Sequence, residues 1–471
     1  MKGVLPKLKE IVYIYHTNDV HSHFKHWPKI AHLLREKRKE HTQKNEHVLI
    51  FDIGDFVDRV HPITEATNGK ANVHLLNDIP YDAVTIGNNE GITLPHEHLN
   101  TLYEQATFSV LVANLFYPNG ERPPWLKPYV LFKLGNVRLA VIGLTVPFQK
   151  FYELLGWRVE DPFAILKEIL SELKGKADVI VLLSHLGINE DEKIAQLFPE
   201  VSLILGGHTH HLFENGKMIG STLLCGAGKF GRYVGGVKLM IDSEQKKVDK
   251  EAFVIPVSNL VDECQETKRT LRRFKQESEV ILSEPIVYLP HDLALDWFAP
   301  SPFASLLAEA LNEWCEGDVA MVNAGVLLEP LQKGIVTKKD LHRICPHPIN
   351  PCKVYLRGSE LKEVVLQANT EKMKRLEIKG FGFRGKVMGQ MVYDRLQIET
   401  EILSDGSEHI RRIFVDHEPL QEQKLYAVAT IDMFTFGHLY PEIYRATKKT
   451  YYMPEMLRDL LEWKLKELYG C

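Results

Sequence analysis

Ile11-Val-Tyr-Ile-Tyr-His16, running on through Thr17-Asn-Asp-Val-His21, is a short β-branched and aromatic run that delivers an Asp and a His two residues apart. An apolar run of this length, with none of the helical rhythm, reads as a strand buried on both faces. The pattern recurs along the first half of the chain. Val48-Leu-Ile-Phe-Asp52 leads into Gly54-Asp55, Ala83-Val-Thr-Ile86 into Gly87-Asn-Asn-Glu90, Asp178-Val-Ile-Val-Leu-Leu183 into Ser184-His185, and Ser202-Leu-Ile-Leu205 into Gly207-His-Thr-His210. Charged segments of helical length, Trp27 to Glu40 and Asp161 to Leu173, lie between them. Strand alternating with helix specifies an α/β fold. Open α/β sheets gather ligands at the carboxyl ends of their strands, so clusters far apart in sequence are expected to converge in space.

The chemistry of the clusters is consistent. Asp19 with His21, and His208 with His210, are spaced so that both side chains of each pair point to one side in extended or turn geometry. Asp55 follows a glycine that permits close backbone approach, and its two carboxylate oxygens suit a bridge between cations. Asn88 offers a neutral carbonyl oxygen and His185 a further imidazole. Nitrogen and oxygen donors without thiolate favour Mn, Fe, Zn, Ni or Co. Two such ions roughly 3.5–4 Å apart activate water and neutralise the charge that develops when a phosphate ester is hydrolysed. A single cluster of this kind is usually structural; the ordered set points to a two-metal phosphoesterase.

Composition narrows the class. At 471 residues the chain exceeds one ordinary core, and two domains are expected. Lys and Arg number 57 against 62 Asp and Glu, a net charge of −5, which argues against nucleic-acid or membrane-surface partners. The apolar runs near the start are too short for a secretory leader, and nothing approaches a membrane-spanning length. Six cysteines, sparse and without close pairing, fit reduced thiols and a cytoplasmic location. Cys345 and Cys352 match no strong zinc spacing and read as structural thiols. The run Arg35 to Lys39 reads as a solvated helix face.

On these residues the chain resembles the 5′-nucleotidase family, whose members join a calcineurin-like metallophosphoesterase domain to a C-terminal nucleotide-binding domain. Leu76 through Tyr81-Asp-Ala-Val84 to Gly87-Asn88 resembles the lead-in to the family's Gly-Asn-His-Glu motif. The resemblance implies a four-layered β-sandwich flanked by helices over 1–257, a helical linker over 258–289, and a smaller α+β substrate-binding domain over 290–471. It implies two divalent metal ions, one held by Asp19, His21, Asp55 and His210, the other by Asp55, Asn88, His185 and His208. Where the family carries a His and, three residues on, an Asp that orients it, this chain has Asn89 and Ile92. Asn89 can donate a hydrogen bond but cannot transfer a proton near neutral pH, and a lost donor of that kind forfeits roughly 10²–10³ in rate.

The second half follows the family in order more than in chemistry. Asn323 and Gly325 stand in the segment that resembles the family's Asn-Gly-Gly-Gly-Ile-Arg, but Leu328 replaces the Arg that would grip an anion. The expected Pro-Phe-Gly-Asn loop is Pro346-His-Pro-Ile-Asn350. By family spacing Phe383 and Tyr440 would stack a flat base between them, at about 1–3 kcal/mol each. The implied enzyme is a cytoplasmic nucleotidase, monomer or weak dimer, in which a metal-bound hydroxide attacks phosphorus in line while Asn88 and Asn89 stabilise the phosphoryl oxygens. The alternatives are a nucleotide-sugar, dinucleotide or 2′,3′-cyclic-nucleotide phosphoesterase, or a metal- and nucleotide-binding protein of low activity.

Overall fold

Strand Glu10–Thr17 pairs in parallel with His47–Asp52, which continues in parallel to Ala83–Val84, Ser109–Leu111 and Leu126–Lys127. Antiparallel Tyr233–Asp242 and Lys247–Pro256 complete this seven-stranded sheet on the other side. A six-stranded sheet runs Lys217–Ile219, Thr222–Cys225, Leu203–Gly206, Val179–His185, Val137–Thr145, Tyr129–Leu134, parallel at its centre. In this computed structural model residues 10–242, 247–380, 382–402, 408–437 and 439–470 are described; Met1–Lys9, His438 and Cys471 lie outside them.

The chain forms two compact units, Met1–Ser278 and Glu279–Cys471. In the first, the two sheets face each other across one apolar core: Val12, Ile14, Leu49 and Phe51 from one meet Leu139, Val141, Val181 and Leu203 from the other. The far side of the second sheet buries Ile142, Leu182 and Ile204 against Leu166, Leu170 and Ile194 of helices Pro162–Leu173 and Ile188–Leu197. Helix Trp27–Gln43 covers the first sheet with Trp27, Ile30 and Leu34. The result is helix, sheet, sheet, helix, and each buried Leu, Ile or Val removed from this core would cost about 2–5 kcal/mol on truncation to Ala.

Local chemistry accounts for the element ends. Asp161 caps Pro162–Leu173 by accepting from the Ala164 N–H at 2.8 Å. The third strand, expected over Ala83–Ile86, stops at Val84, and the chain then bends so that the Gly87 backbone lies against Gly54. The charged run 35–39 is not simply solvated: Arg35 donates to the Asp78 carbonyl and Glu266, and Arg38 to the carbonyls of Val48 and Pro80. Their long stems let the guanidinium groups reach the carbonyls of Asp78 and Pro80 in the loop before the third strand and of Val48 near the start of the second. Within the stretch 258–289, expected as a helical linker, the helix spans Gln265–Leu282; before it, the Leu260 carbonyl accepts from Lys29 and the Cys264 N–H donates to the Pro28 carbonyl.

The second unit is α+β. A five-stranded sheet orders Met391–Asp394, Val319–Asn323, Leu425–Ile431, Pro351–Arg357 and Lys449–Tyr451, and helices Pro302–Cys315 and Gly358–Ala368 pack on it. All five described cysteines are buried free thiols. Among the described residues no helix is long and apolar enough to cross a membrane.

Candidate metal centre

The clusters converge at the carboxyl ends of the parallel strands in the first unit. The loop after Glu10–Thr17 and the loop after His47–Asp52 are laced together, with Asp19 N–H donating to Gly54 C=O, His21 N–H to Asp55 C=O and Ser22 N–H to Phe56 C=O at 2.8–3.0 Å. Asp19, His21, Asp55, His208 and His210 all adopt left-handed backbone, with φ between 48° and 69°. Such conformations are uncommon outside glycine and gather at functional sites, where the surrounding structure holds them. Two glycines are required by contact. A Cβ on Gly87 would lie 2.1 Å from Asp55 Oδ1 and 2.5 Å from His185 Nε2, and one on Gly207 2.9 Å from His185 Nδ1.

Donor atoms of Asp19, His21 and His210 lie within 4.8 Å of one another, as do those of Asp19, Asp55 and His185. Asp19 therefore belongs to both groups, whereas the sequence pointed to Asp55 alone as shared. His21 Nε2 is 3.2 Å from His210 Nε2 and 3.6 Å from Asp55 Oδ2; His210 Nε2 is 3.5 Å from Asp19 Oδ1. His208 Nδ1 meets Asn88 Oδ1 at 2.8 Å. His185 Nδ1 donates to the Ile53 carbonyl at 2.6 Å, which turns Nε2 into the site. That Nε2 is fully buried, 3.4 Å from Asp55 Oδ1, with no hydrogen-bond partner. A buried ring nitrogen that faces carboxylates without a hydrogen bond fits a cation, as does the Ile53 carbonyl that orients the ring.

Burial disfavours a charged His185, but Asp55 and Asp19 outweigh it and push the ring up to about 10. Burial and the neighbouring His185 charge bring His208 down to about 4, and burial with His21 brings His210 down to about 3. His208 and His210 are thereby kept neutral, the form in which an imidazole ligates; at His185 the carboxylates that favour a proton on Nε2 equally favour a cation in its place. Burial raises Asp19, and the Asp55 charge adds to it.

Two positioning groups escaped the sequence reading. Glu90, buried, accepts the N–H groups of Asp55, Val57 and Gly87 at 2.8–3.0 Å, tying two ligand loops to one carboxylate. Burial and the Asp55 charge raise it to about 7. Its place three residues after Gly87, in the first turn of helix Asn88–Thr93, is the spacing at which an acidic side chain reaches back to the cap N–H. Asp58 Oδ2 lies 3.2 Å from His21 Nδ1 and orients that ring. Nothing in the sequence around Asp58 marks it.

The calcineurin-like phosphoesterase profile matches residues 12–212, and the profile of the 5′-nucleotidase C-terminal domain matches 285–439. The chain is 51% identical over 462 residues to YunD of Bacillus subtilis (strain 168), described as an uncharacterized metallophosphoesterase, covering 98% of this chain and 100% of that protein. The chain belongs to the 5′-nucleotidase family of metallophosphoesterases. Family membership makes it a phosphoester hydrolase that uses divalent metals. The fold is shared with Haemophilus influenzae NAD nucleotidase at a TM-score of 0.70 and 16% identity, covering 98% of this chain and 97% of that one. A putative 5′-nucleotidase from Staphylococcus aureus gives 0.68 and 19%, covering 98% of each.

The residues singled out in the second half lie in the second unit, all enclosed. Asn323 donates to the Met388 carbonyl at 2.7 Å, while its buried Oδ1 has no partner. Gly325 lies against the same segment, where a Cβ would sit 2.0 Å from the Val387 carbonyl. Phe383, 4% exposed, stacks on His347 with centroids 5.3 Å apart at 8°, and Tyr440, fully buried, meets Phe434 edge-on at 4.9 Å. A base reaching either ring would first displace its present neighbour. Asn89 points away from a phosphoryl role: its amide donates to Asp55 Oδ2 at 2.8 Å, and its backbone N–H to Oδ1 at 2.8 Å.

Proposed function

We propose that this enzyme hydrolyses nucleotides at a pair of divalent cations held by Asp19, His21, Asp55 and His210 and by Asp55, Asn88, His185 and His208. The observation that carries the reading is the unpaired Nε2 of His185 facing Asp55, in the midst of converging carboxylate and imidazole donors. When bound, the cations supply an activated water and neutralise charge on the phosphoryl group. The chain's own residues do the rest. Asn89 holds both oxygens of Asp55 in place. Glu90 fixes the loops that carry Asp55 and Asn88. Asp58, 3.2 Å from His21 Nδ1, holds that ring with Nε2 towards the site.

Nitrogen and oxygen donors suit Mn, Zn, Fe, Ni or Co. The matches at 12–212 and 285–439 support a metal-bearing domain over 1–257, a helical linker over 258–289 and a substrate-binding domain over 290–471. The buried free thiols support a reducing, cytoplasmic compartment.

The test is phosphate release from a panel of nucleotides and a chromogenic phosphate ester by Mn²⁺-loaded protein, alongside Asp55→Ala. Release by the wild type and its loss in the variant is the expected result; equal rates for the two would overturn the assignment.

A further inference from the structure

The loop Lys229-Phe-Gly-Arg232 is fastened to the metal centre, because the Phe230 N–H donates to the Asp19 carbonyl at 2.8 Å. Phe230 holds a left-handed φ of 64° there, a conformation rare for a bulky side chain. Its ring stacks on His23, centroids 3.8 Å apart at 23°, and meets His21 edge-on at 5.9 Å. Lys229 Nζ lies 4.7 Å and Arg232 Cζ 5.7 Å from the centre of the same ring. Neither cation is ion-paired with a carboxylate among the described residues. Two unneutralised cations are thus gathered on an aromatic plate at the edge of a site built for phosphate.

The other half of the argument is the missing acid. Asn89 cannot transfer a proton, and its amide is committed to Asp55. An alkoxide leaving group, whose conjugate acid resembles water with a pKa of about 15.7, needs protonation to depart. A phosphate leaving group, with a pKa of about 6, does not.

We propose that Lys229 and Arg232, gathered by Phe230, form an anion subsite for the non-scissile phosphate of a nucleoside diphosphate, and so select substrates whose leaving group is itself a phosphate. This rests on the hydrolase reading above and specifies its substrate class. The oxygen of water bonds to the terminal phosphorus as the bridging P–O bond breaks. The bridging oxygen keeps the electron pair and leaves as nucleoside monophosphate. One water proton stays on inorganic phosphate and the other passes to solvent. The guanidinium and ammonium groups stabilise the charge on the departing phosphate, which is the part a proton donor would otherwise play.

The experiment measures kcat and KM of the Mn²⁺-loaded full chain on ADP, AMP and p-nitrophenyl phosphate. It compares wild type with Lys229→Ala, Arg232→Ala, the double variant, the conservative Lys229→Arg, and Lys25→Ala as a surface control. The wild type is expected to prefer ADP over AMP in kcat/KM. That preference should fall by about 10-fold or more in the double variant, chiefly through KM, and be retained in Lys229→Arg and Lys25→Ala. A wild type that favours AMP, or a preference unchanged in the double variant, would overturn the subsite while leaving the hydrolase reading intact. A wild type inert towards all three compounds would overturn both.

Discussion

Asn89 grips both oxygens of Asp55, one through its side-chain amide and one through its backbone N–H, each at 2.8 Å. The side chain that stands where a proton donor would be expected is therefore a positioning residue for the Asp55 carboxylate. Asn89→Ala should weaken metal binding by about 10–100-fold, the usual cost of losing a partner that orients a ligand. The sequence alone suggests that Asn89→His would raise turnover. The Asp55 bond makes the opposite expected, since an imidazole there gives up the amide contact. Isothermal titration with Mn²⁺ checks the first expectation, and monoester turnover the second; unaltered affinity in Asn89→Ala would refute the role.

Glu90 is the common acceptor of three loop N–H groups. Glu90→Gln turns one acceptor into a donor facing N–H, at a cost of about 1–3 kcal/mol for the orphaned group. The expected outcome is a lower melting temperature together with a reduced metal content. Calorimetry and elemental analysis on the same preparation measure both.

Gly87→Ala tests the close packing of the ligand shell directly. The added methyl would meet Asp55 Oδ1 and His185 Nε2 at distances no carbon tolerates, so both side chains must move. Metal stoichiometry should collapse while the far-ultraviolet dichroism stays native, because the displaced atoms belong to the site and not to the sheet core.

Chelation should lower stability. Ions that bind only the folded chain stabilise it by about 2.7 kcal/mol at a free concentration of 100 times Kd, and the Asp19 and Asp55 carboxylates repel each other without them. The melting temperature is expected to fall on dialysis against EDTA and to return on adding Mn²⁺.

Asp432 gives a pH signature in the second unit. Burial raises its carboxyl from 3.8 to about 7. Between those values the folded chain holds a proton that the unfolded chain has released, so stability falls as pH rises from about 4 to 7 and levels above that. The contribution is on the order of 4 kcal/mol at 1.36 kcal/mol per unit. Asp432→Asn should flatten the melting temperature over this range and leave the variant more stable than wild type at pH 8. Parallel curves for the two proteins would exclude the assignment.

How much of this was legible beforehand depends on the range over which each feature is encoded. The strands that deliver Asp19, Asp55, His185 and His208 were readable because apolar runs are local, and so was the kind of donor they carry, nitrogen and oxygen without thiolate, because donor type is written in the side chains. Glu90 was half legible, since the capping spacing from Gly87 is local but its reach to Asp55 and Val57 is not. Asp58, the Ile53 carbonyl on His185 and the fastening of Phe230 to Asp19 carry no local signal at all.

The sequence by itself determined that parallel strands would end in loops carrying carboxylate and imidazole donors, since periodicity and residue chemistry are properties of short segments. Only the tertiary structure decided that Asp19 joins both donor groups, that Asn89 serves Asp55, and that Phe383 and Tyr440 are enclosed. Those outcomes turn on distances between residues tens to hundreds of positions apart, fixed by how two sheets pack and how loops cross, and no pattern along the chain records them.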